Sequence, residues 1–380
     1  MTGHELEKHT IFLALAGSHA HGTARPESDL DVRGVAIAPL SLRLSYRKNF
    51  EQYEGLLSQS MAERLRPALE ARGLMPGDVQ AELTVFDVAK FVRLCVAGNP
   101  NALEILFADE RDWLLQTPAW EKIYEHRDLF LSRKVCETYL GYALAQFKRI
   151  QSHRSWLLNP PRQKPKRAEF GLPDESTLSA DERNRIEAGI AARLRSWAMD
   201  DLEMPQENRI ALRERLEQFW WEVPGKTENS ETRDQKLRDR AGRSLGLTRD
   251  VLEILERERR YRAAQKHWQS YEQWKRERNP TRARLEALHG YDTKHAMHLV
   301  RLMRTGLELV ETGVLHVRRP DAAELKAIRD GAMTYEQLLE EAQRLESMAR
   351  AALANSPLPP RPDEEAIDEM LGKVILQFSQ

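Results

Sequence analysis

With 380 residues, the chain is long enough for two domains, each with its own core. Its 58 Lys and Arg residues are balanced by 59 Asp and Glu residues, and this formal charge of -1 excludes a globally basic protein that binds polyanions over its whole surface. Any site for nucleic acid must therefore be local. Cys95 and Cys136, the two cysteines, are too few for a disulfide framework or a cysteine zinc site, and they predict a reducing compartment.

The amino terminus and the hydropathy of the chain predict its location. Acids and bases are mixed in the first ten residues, and the apolar run after them has only six residues, too few for a secretory signal. Nowhere do about eighteen uncharged apolar residues follow one another, as a membrane-spanning helix requires. We therefore expect a cytoplasmic protein without a membrane partner.

The first hundred or so residues predict a small mixed sheet with helices. Residues 11–16 are continuously apolar and end at Gly17, which is typical of a strand buried on both faces. Residues 30–38 alternate and stop at a proline, and residues 79–86 follow a turn-forming Met-Pro-Gly-Asp segment, so both are further strand candidates. Apolar residues at helical spacing predict a helix over residues 87–97.

Helical periodicity dominates the rest of the chain. It predicts helices over residues 119–158, 179–217, 249–278, 293–310 and 335–354. Residues 225–246 are polar and charged, which fits either a mobile connection or a solvated helix. The predicted fold class is α/β (α+β), with a mixed-sheet domain over residues 1–116 and a mostly α-helical domain over residues 117–380.

The segment richest in chemistry pairs Gly17-Ser18 with a D-x-D, Asp29 and Asp31, after ten intervening residues. Residues two apart on a strand face the same side, so the two carboxylates should lie together and need a cation such as Mg²⁺. Gly17-Ser18 follows a predicted strand as a turn, where backbone N–H groups and a hydroxyl can bind phosphate. Glu82 would add the third acid of a two-metal site if its strand is a neighbour. A short D-x-D taken alone is more often a capped surface turn.

Residues 17–35 resemble the signature of the DNA polymerase β-like nucleotidyltransferase superfamily, which pairs G-S with a later D-x-D and a third acid on another strand. The segments WLLNPP, EFGLP, YDTKHAMHLVRL and ELVETG resemble its RlaP-like branch, predicted nucleotidyltransferases associated with RNA ligase and RNA repair. The resemblance implies that Asp29 and Asp31 bind both metal ions. It also implies that Glu82, where many members have Asp, binds the catalytic ion and helps to deprotonate the acceptor. Gly17 and Ser18 would hold the triphosphate.

A cationic stripe follows Asp292 in the helical part. Lys294, His298 and Arg301 recur at positions i, i+4 and i+7 of one predicted helix, and we interpret them as nucleotide-binding residues. The alternative is a solvated helix face on which Asp292 is only the N-cap. The spacing of the histidines in this region, at positions 289, 295 and 298, matches no good metal site.

A local basic segment covers residues 148–167, with seven Lys or Arg residues and no acid. It could follow a nucleic-acid backbone while Trp156 stacks on a base, or it could be an ordinary charged surface loop. The predicted nucleic-acid-binding residues are Lys148, Arg149, Arg154, Lys164, Lys166 and Arg167. Residues 257–284 are also basic, but their aromatic residues, at positions 261, 268, 271 and 274, have helical spacing that predicts core packing.

These patterns and the resemblance predict a nucleotidyltransferase that moves a nucleoside monophosphate from an NTP, with ATP favoured, to a hydroxyl. The expected cofactors are two Mg²⁺ ions, with Mn²⁺ as a substitute. The favoured acceptor is an RNA end, the helical domain would complete the cleft and select it, and an RNA ligase or other repair protein is a possible partner. Two alternatives stay open: a protein or small-molecule adenylyltransferase of the minimal antitoxin type, and a catalytically silent RNA-binding scaffold.

Overall fold

The computed structural model describes residues 3–47, 49–74, 81–176, 178–200 and 227–378. The chain forms two compact units, residues 1–160 with 279–380, and residues 161–278. The domain boundary that we predicted after residue 116 follows the strand Trp113–Gln116, and it stays a prediction. Within the described residues, no helix combines the length and the apolar character that crossing a membrane requires.

The first unit contains a mixed five-stranded sheet, as the sequence predicted. Its strands are β1 (Thr10–Leu15), β2 (Leu30–Ala36), β3 (Gln52–Leu56), β4 (Ala81–Asp87) and β5 (Trp113–Gln116), in the order β3-β4-β2-β1-β5. β2 and β4 are parallel, and every other neighbouring pair is antiparallel. The parallel pair occupies the interior of the sheet and places the starts of β2 and β4 side by side.

Short helices connect these strands and lead into a long one. They are α1 (Gly3–His9), α2 (Gly17–Ala20), α3 (Leu40–Arg43), α4 (Gln59–Glu70), α5 (Val88–Val96), α6 (Pro100–Leu106), α7 (Pro118–Glu125) and α8 (Arg133–Leu158). The helix predicted over residues 87–97 is α5, and Asp87 caps it by accepting a hydrogen bond from the backbone N–H of Ala89.

The second unit is helical in its described part. Its helices are α9 (Ala180–Asp200), α10 (Thr227–Ser244) and α11 (Arg249–Glu277), and a small core of Ile190, Ala241, Leu252 and Leu255 joins them. Residues 227–244 therefore form a helix, which decides between the two alternatives left open for that polar stretch. The end of the helix predicted over residues 179–217 lies outside the described residues beyond position 200.

The last third of the chain returns to the first unit. Its helices are α12 (Pro280–His289), α13 (Thr293–Thr312), α14 (Ala322–Arg329), α15 (Tyr335–Leu353) and α16 (Glu364–Phe378). α13 is central, since Leu299, Val300 and Met303 are buried in the same core as Phe12 and Val35 of the sheet. The helix predicted over residues 293–310 thus belongs to the core that packs on one face of the sheet.

The two faces of the sheet pack on different apolar clusters. Leu30 and Val32 of β2 belong to a cluster with Met61 and Leu65 of α4. Val35 belongs to the larger cluster on the other face, and Asp31, four residues before it on the same strand, shares that face. The D-x-D therefore lies on the face of the sheet that carries the main core, at the end where β2 begins.

Candidate active site

The turn after β1 is held against the D-x-D. Gly17 has a φ of +57°, a conformation that favours glycine, and a Cβ atom built there would overlap Oδ2 of Asp31. The backbone N–H of Ala16 donates to the carbonyl oxygen of Asp31 at 2.9 Å, which fixes the two segments together. Only glycine allows the chain to turn this close to the carboxylate, so Gly17 and Asp31 form one structural element.

Ser18 follows at the start of α2. Its carbonyl oxygen accepts a hydrogen bond at 2.9 Å from the backbone N–H of Thr23, which is fully buried. The Ser18 hydroxyl has no hydrogen-bonding partner among the residues that the structure describes, and it is partly exposed. This hydroxyl can therefore donate to an oxygen of a ligand beside Asp31.

The acids predicted for metal binding lie on neighbouring strands. Asp31 of β2 and Glu82 of β4 are direct partners in the parallel register, so their side chains leave the same face about 4.8 Å apart at the backbone. Asp29 stands one residue before β2 and is exposed, as is Glu82. In the described ranges, none of these three carboxylates takes part in an ion pair or a side-chain hydrogen bond. Oxygen ligands without partners fit the coordination preferences of Mg²⁺.

Asp87 is the other acid of β4, and it lies away from the D-x-D. It lies opposite Ala36, five residues along β2 from Asp31, which is about 16 Å at the usual rise of a strand. It is buried, caps α5 and forms an ion pair with Arg43 at 2.5 Å. Burial raises the pKa of its carboxyl group despite the opposing effect of Arg43. Asp87 is therefore a structural residue, and Glu82 is the acid that neighbours the D-x-D.

A buried network supports the turn from behind. Glu104 of α6 accepts a hydrogen bond at 2.5 Å from Arg301 of α13 and lies 3.0 Å from Nε2 of His21. Burial alone would raise the pKa of Glu104, but Arg301 and His21 hold it well below its usual value. Burial, reinforced by Arg301, lowers the pKa of His21, so at neutral pH its uncharged ring donates from Nε2. This network ties α2, which carries Ser18, to two helices.

The cationic stripe of α13 divides into parts with different surroundings. Arg301 is only 6% exposed and bound to Glu104, so the structure gives it a supporting role, while its predicted contact with nucleotide stays a prediction. His298 is half-buried, and burial followed by the charge of Arg301 keeps its pKa well below the usual value. Burial lowers the pKa of the half-buried Lys294, and the carboxylate of Asp29 opposes this shift. Asp292 caps the helix, as the alternative interpretation expected, but the stripe is not a solvated face, because all three of its residues are buried or half-buried.

One other group in the described residues has the composition of a metal site. Ligand atoms of His153, Asp292 and His295 all lie within 4.8 Å of one another. Asp292 is fully buried, but the guanidinium of Arg282 contacts the same oxygen that faces both histidines. Because this cation already neutralises the carboxylate, we interpret the group as an ion-pair network that anchors α13 to α8 and α12.

The predicted nucleic-acid residues differ in accessibility. Lys148 and Arg149 are exposed on α8, whereas Arg154 donates to the carbonyl oxygen of Gly290 and covers the ring of Tyr335. The prediction that Trp156 could stack on a base is wrong for this conformation, since the side chain is 6% exposed and packs beside His153.

In the second unit, Lys164 and Lys166 are exposed, and Arg167 forms an ion pair with the buried Glu258. Lys164 lines a shallow groove together with Trp268 and Arg276 of α11. Of the aromatic residues predicted to pack in a core, Tyr271 is buried. The expectation was too broad for the others, Tyr261, Trp268 and Trp274, which are partly exposed.

A large groove of the first unit, lined by residues such as Phe107, Tyr124 and Leu358, lies apart from the acids. A much smaller cavity lies directly behind the turn, between Gly17, Arg33 and Glu104. We assign the chemistry to the acids, because the groove brings together none of the residues that form the turn or the D-x-D. The sequence did not single out Glu104; the one available signal was a lone acid in the apolar helix PNALEIL.

One of the comparisons with known proteins finds a match, and it covers part of the chain. No curated protein and no solved structure matches the chain. A family model does match, and its description, the RNA repair pathway DNA polymerase beta family, indicates a nucleotidyltransferase. Residues 3–159, which contain Gly17, Ser18, Asp29, Asp31 and Glu82, match this family, RlaP, and so confirm the resemblance stated from the sequence for that part of the chain.

Proposed function

We propose that the protein transfers a nucleoside monophosphate from an NTP, ATP being favoured, to a hydroxyl group of RNA, with two Mg²⁺ ions as cofactors. The observation that carries the proposal is the in-register pairing of Asp31 with Glu82 beside the Gly17 turn. Carboxylates without partners, placed together at one end of a parallel strand pair, have no structural use and suit cation binding. The family match to residues 3–159 supports the same reaction class.

The side chains divide the work of the reaction. Asp29, Asp31 and Glu82 would hold the metal ions, which when bound neutralise charge on the phosphates and lower the pKa of the attacking hydroxyl. The acceptor oxygen forms a bond to the α-phosphorus, the bond from that phosphorus to the bridging oxygen breaks, and pyrophosphate leaves. The hydroxyl proton passes to a carboxylate, for which the exposed Glu82 is placed beside Asp31.

The turn supplies the remaining contacts with the substrate. The Ser18 hydroxyl and the first N–H groups of the turn would donate to phosphate oxygens, and Lys294, His298 and Arg301 of α13 would bind or support the triphosphate. The buried Glu104 keeps α2 in position for this contact. Ser18 and the N–H groups of the turn would thus contact the substrate, and Glu104 would hold the turn in position.

RNA is the favoured acceptor because of exposed cations and partly exposed aromatic rings. Lys164 lines a groove that also contains Trp268, a combination suited to a phosphate backbone and a stacked base, and Lys166 is exposed two residues further along the chain. Lys148 and Arg149 are exposed on α8 of the first unit. An RNA ligase or another repair protein is the proposed partner, on the ground of the family's description as part of an RNA repair pathway.

Labelled NTPs test the proposal. The protein is incubated with Mg²⁺ and each NTP in turn, labelled at the α- or the γ-phosphate, together with RNA or with a protein fraction. We expect the α-label to enter RNA with release of pyrophosphate, and to be absent with Asp29→Asn. Glu70→Gln, which changes an exposed acid on α4, is the matched control and should label RNA normally. Labelled protein without labelled RNA would favour the adenylyltransferase alternative, and transfer of the γ-label would contradict nucleotidyl transfer.

A further inference from the structure

Lys294 and Arg329 of the first unit form no ion pair with any residue that the structure describes. Lys294, in the first turn of α13, and Arg329, at the end of α14, are both half-buried. Neither is within ion-pair or hydrogen-bonding distance of another side chain in the described ranges. Cations that lose part of their hydration usually gain a carboxylate partner in return, because unpaired charge is costly to bury. Their lack of one distinguishes them from most of the arginines around them.

Three segments bring these cations to one place. The guanidinium of Arg25, from the loop between Ser18 and Asp29, contacts Asp330 next to Arg329. Gly331 packs on the ring of His289 so closely that a Cβ atom would overlap it. The Tyr291 hydroxyl donates to the carbonyl oxygen of Met333 at 2.7 Å. The loop before the D-x-D, the α12–α13 junction and the end of α14 therefore form one rim.

The charges on this rim repel one another. The pKa of Lys294 is lowered first by burial and then by Arg282 and Arg329, against the attraction of Asp29. Burial likewise lowers the pKa of Arg329, and Arg25 adds to the effect, while the carboxylates of Glu27 and Asp330 oppose it. The fold thus gathers four cations beside one predicted metal ligand.

Two of the four already have partners. Arg25 is bound to Asp330, and Arg282 to the buried Asp292, so their contribution to a ligand is the field of their charge. Lys294 and Arg329 have their donors available: an ammonium and a planar guanidinium, the two groups that proteins use for phosphate oxygens. One anion could accept hydrogen bonds from both side chains, and a polyphosphate has enough oxygen atoms to do so.

We propose that Lys294 and Arg329 form a polyphosphate subsite beside Asp29 that holds the β- and γ-phosphates of the NTP. The inference rests on the proposed function and adds to it a residue, Arg329, that neither the motif nor the family match assigns. It also assigns the rim to the phosphate tail rather than to the base. Binding of the tail there would leave the α-phosphate at the acids and hold the pyrophosphate as it leaves.

Binding of inorganic triphosphate in EDTA tests the subsite without metal, base or acceptor. Wild-type protein should bind it, and Arg329→Gln and Lys294→Gln should each weaken binding by about tenfold or more, the effect of one charge-assisted hydrogen bond. Arg284→Gln removes an exposed arginine of α12 that forms no ion pair in the described ranges, and it should bind like the wild type. Undiminished binding by both rim variants, or none by the wild type, would overturn the proposal.

Thermal unfolding distinguishes a loss of binding from a loss of stability in these variants. Because Lys294 and Arg329 repel their neighbours, either substitution should leave the melting temperature unchanged or raise it without ligand, and should abolish the increase that triphosphate causes in the wild type. A fall without ligand would show that the cations hold the fold together and would count against a binding role.

The same variants identify the source of the phosphate. Normal affinity for triphosphate with weakened affinity for a 5′-phosphorylated oligonucleotide would assign the rim to the acceptor and overturn our assignment to the NTP. Polyphosphate binding that depends on Arg329 would support the subsite even if the transfer assay labelled no acceptor. Failure of the transfer reaction and failure of the subsite are therefore separate results.

Discussion

Two groups of charged residues lie on opposite sides of the turn at Gly17, and they differ in their partners. On the open side, Asp29, Asp31 and Glu82 form no ion pair with any residue that the structure describes. Behind the turn, Glu104 is bound by both Arg301 and His21 and is almost completely enclosed. Both groups contain charges that cost free energy to hold in place. Only the second group has its partners within the described part of the chain.

The difference distinguishes residues whose charge a ligand would neutralise from residues that neutralise one another. Carboxylates held together without a cation repel one another and do not stabilise the fold. Neutralising one of them should therefore leave the free energy of unfolding unchanged and remove a function. A buried carboxylate between two donors behaves in the opposite way, because its loss leaves a guanidinium without a partner. Substitutions can test which side of this division a residue belongs to.

The largest effect is expected for Asp31→Asn, which keeps the size of the side chain and removes its charge. Transfer to RNA should fall by at least about a hundredfold, while the free energy of unfolding should change by no more than about 0.5 kcal/mol. Rates and chemical denaturation are measured on one preparation, with Glu70→Gln as the control. Near-normal transfer would make the D-x-D a turn and nothing more.

Glu104→Gln should show the reverse pattern in stability. Loss of the charge leaves Arg301 buried and unpaired, which costs about 3–5 kcal/mol of unfolding free energy. The double variant with Arg301→Gln should recover part of that loss, since no unpaired charge then remains. Denaturation of the two single variants and the double variant gives the coupling. Glu121→Gln, at an exposed site on α7, is the control. Additive effects would show that the two residues do not act as a pair.

Stability should fall as the pH is lowered, because several buried histidines resist protonation. Burial, with the charge of Arg282, lowers the pKa of His295 to about 4 from 6.5, although Asp292 opposes the shift. The unfolded chain therefore takes up its proton first as the pH falls from 6.5 to about 4. His295 alone accounts for up to about 3 kcal/mol of lost stability across that window. His295→Gln should lose less on acidification than the wild type.

Chemical denaturation at a series of pH values measures this difference. His126→Gln, which replaces an exposed histidine at the end of α7, should follow the wild-type curve. If His295→Gln lost as much stability as the wild type between these pH values, the side chain would already be charged in the folded protein.

The smallest effect is expected in the second unit, where Lys164 and Lys166 are exposed. Neutralising both should weaken RNA binding and reduce the salt slope by about 0.7 for each phosphate that a lysine no longer neutralises. Arg167 is left intact because it is bound to Glu258, so its loss would disturb the fold. Lys236→Gln, at an exposed site on α10, is the matched control. An unchanged slope in the double variant would remove these lysines from the RNA-binding surface.

The parts of the fold that the sequence predicted are those with a strong apolar pattern. β1 is buried throughout, β2 and β4 alternate between buried and more accessible residues, and α13 shows clear helical spacing. β3 was missed because the edge strand QYEGL is polar and mostly exposed, and β5 because it has only four residues. α10 has few apolar residues, so a helix and a connection could not be distinguished there.

The site also contains residues that the sequence could predict and residues that it could not. Gly17, Asp29 and Asp31 lie close together in the chain, where spacing alone brings them to one end of a strand. The partnership of Glu104 with Arg301 spans 197 residues, and that of Arg25 with Asp330 spans 305, so neither leaves a local pattern. The prediction for Trp156 was wrong for a related reason, since a basic sequence context does not show whether the ring is buried.

The count of bound metal ions tests the central assignment most directly, because it needs no acceptor. Titration with Mn²⁺, in the presence of a non-hydrolysable NTP analogue, should show about two ions for the wild type, about one for Glu82→Gln and almost none for Asp31→Asn. Glu82→Gln should still bind the analogue although transfer is abolished, and His295→Gln should keep both ions. An equal count in the wild type and Asp31→Asn would contradict the account.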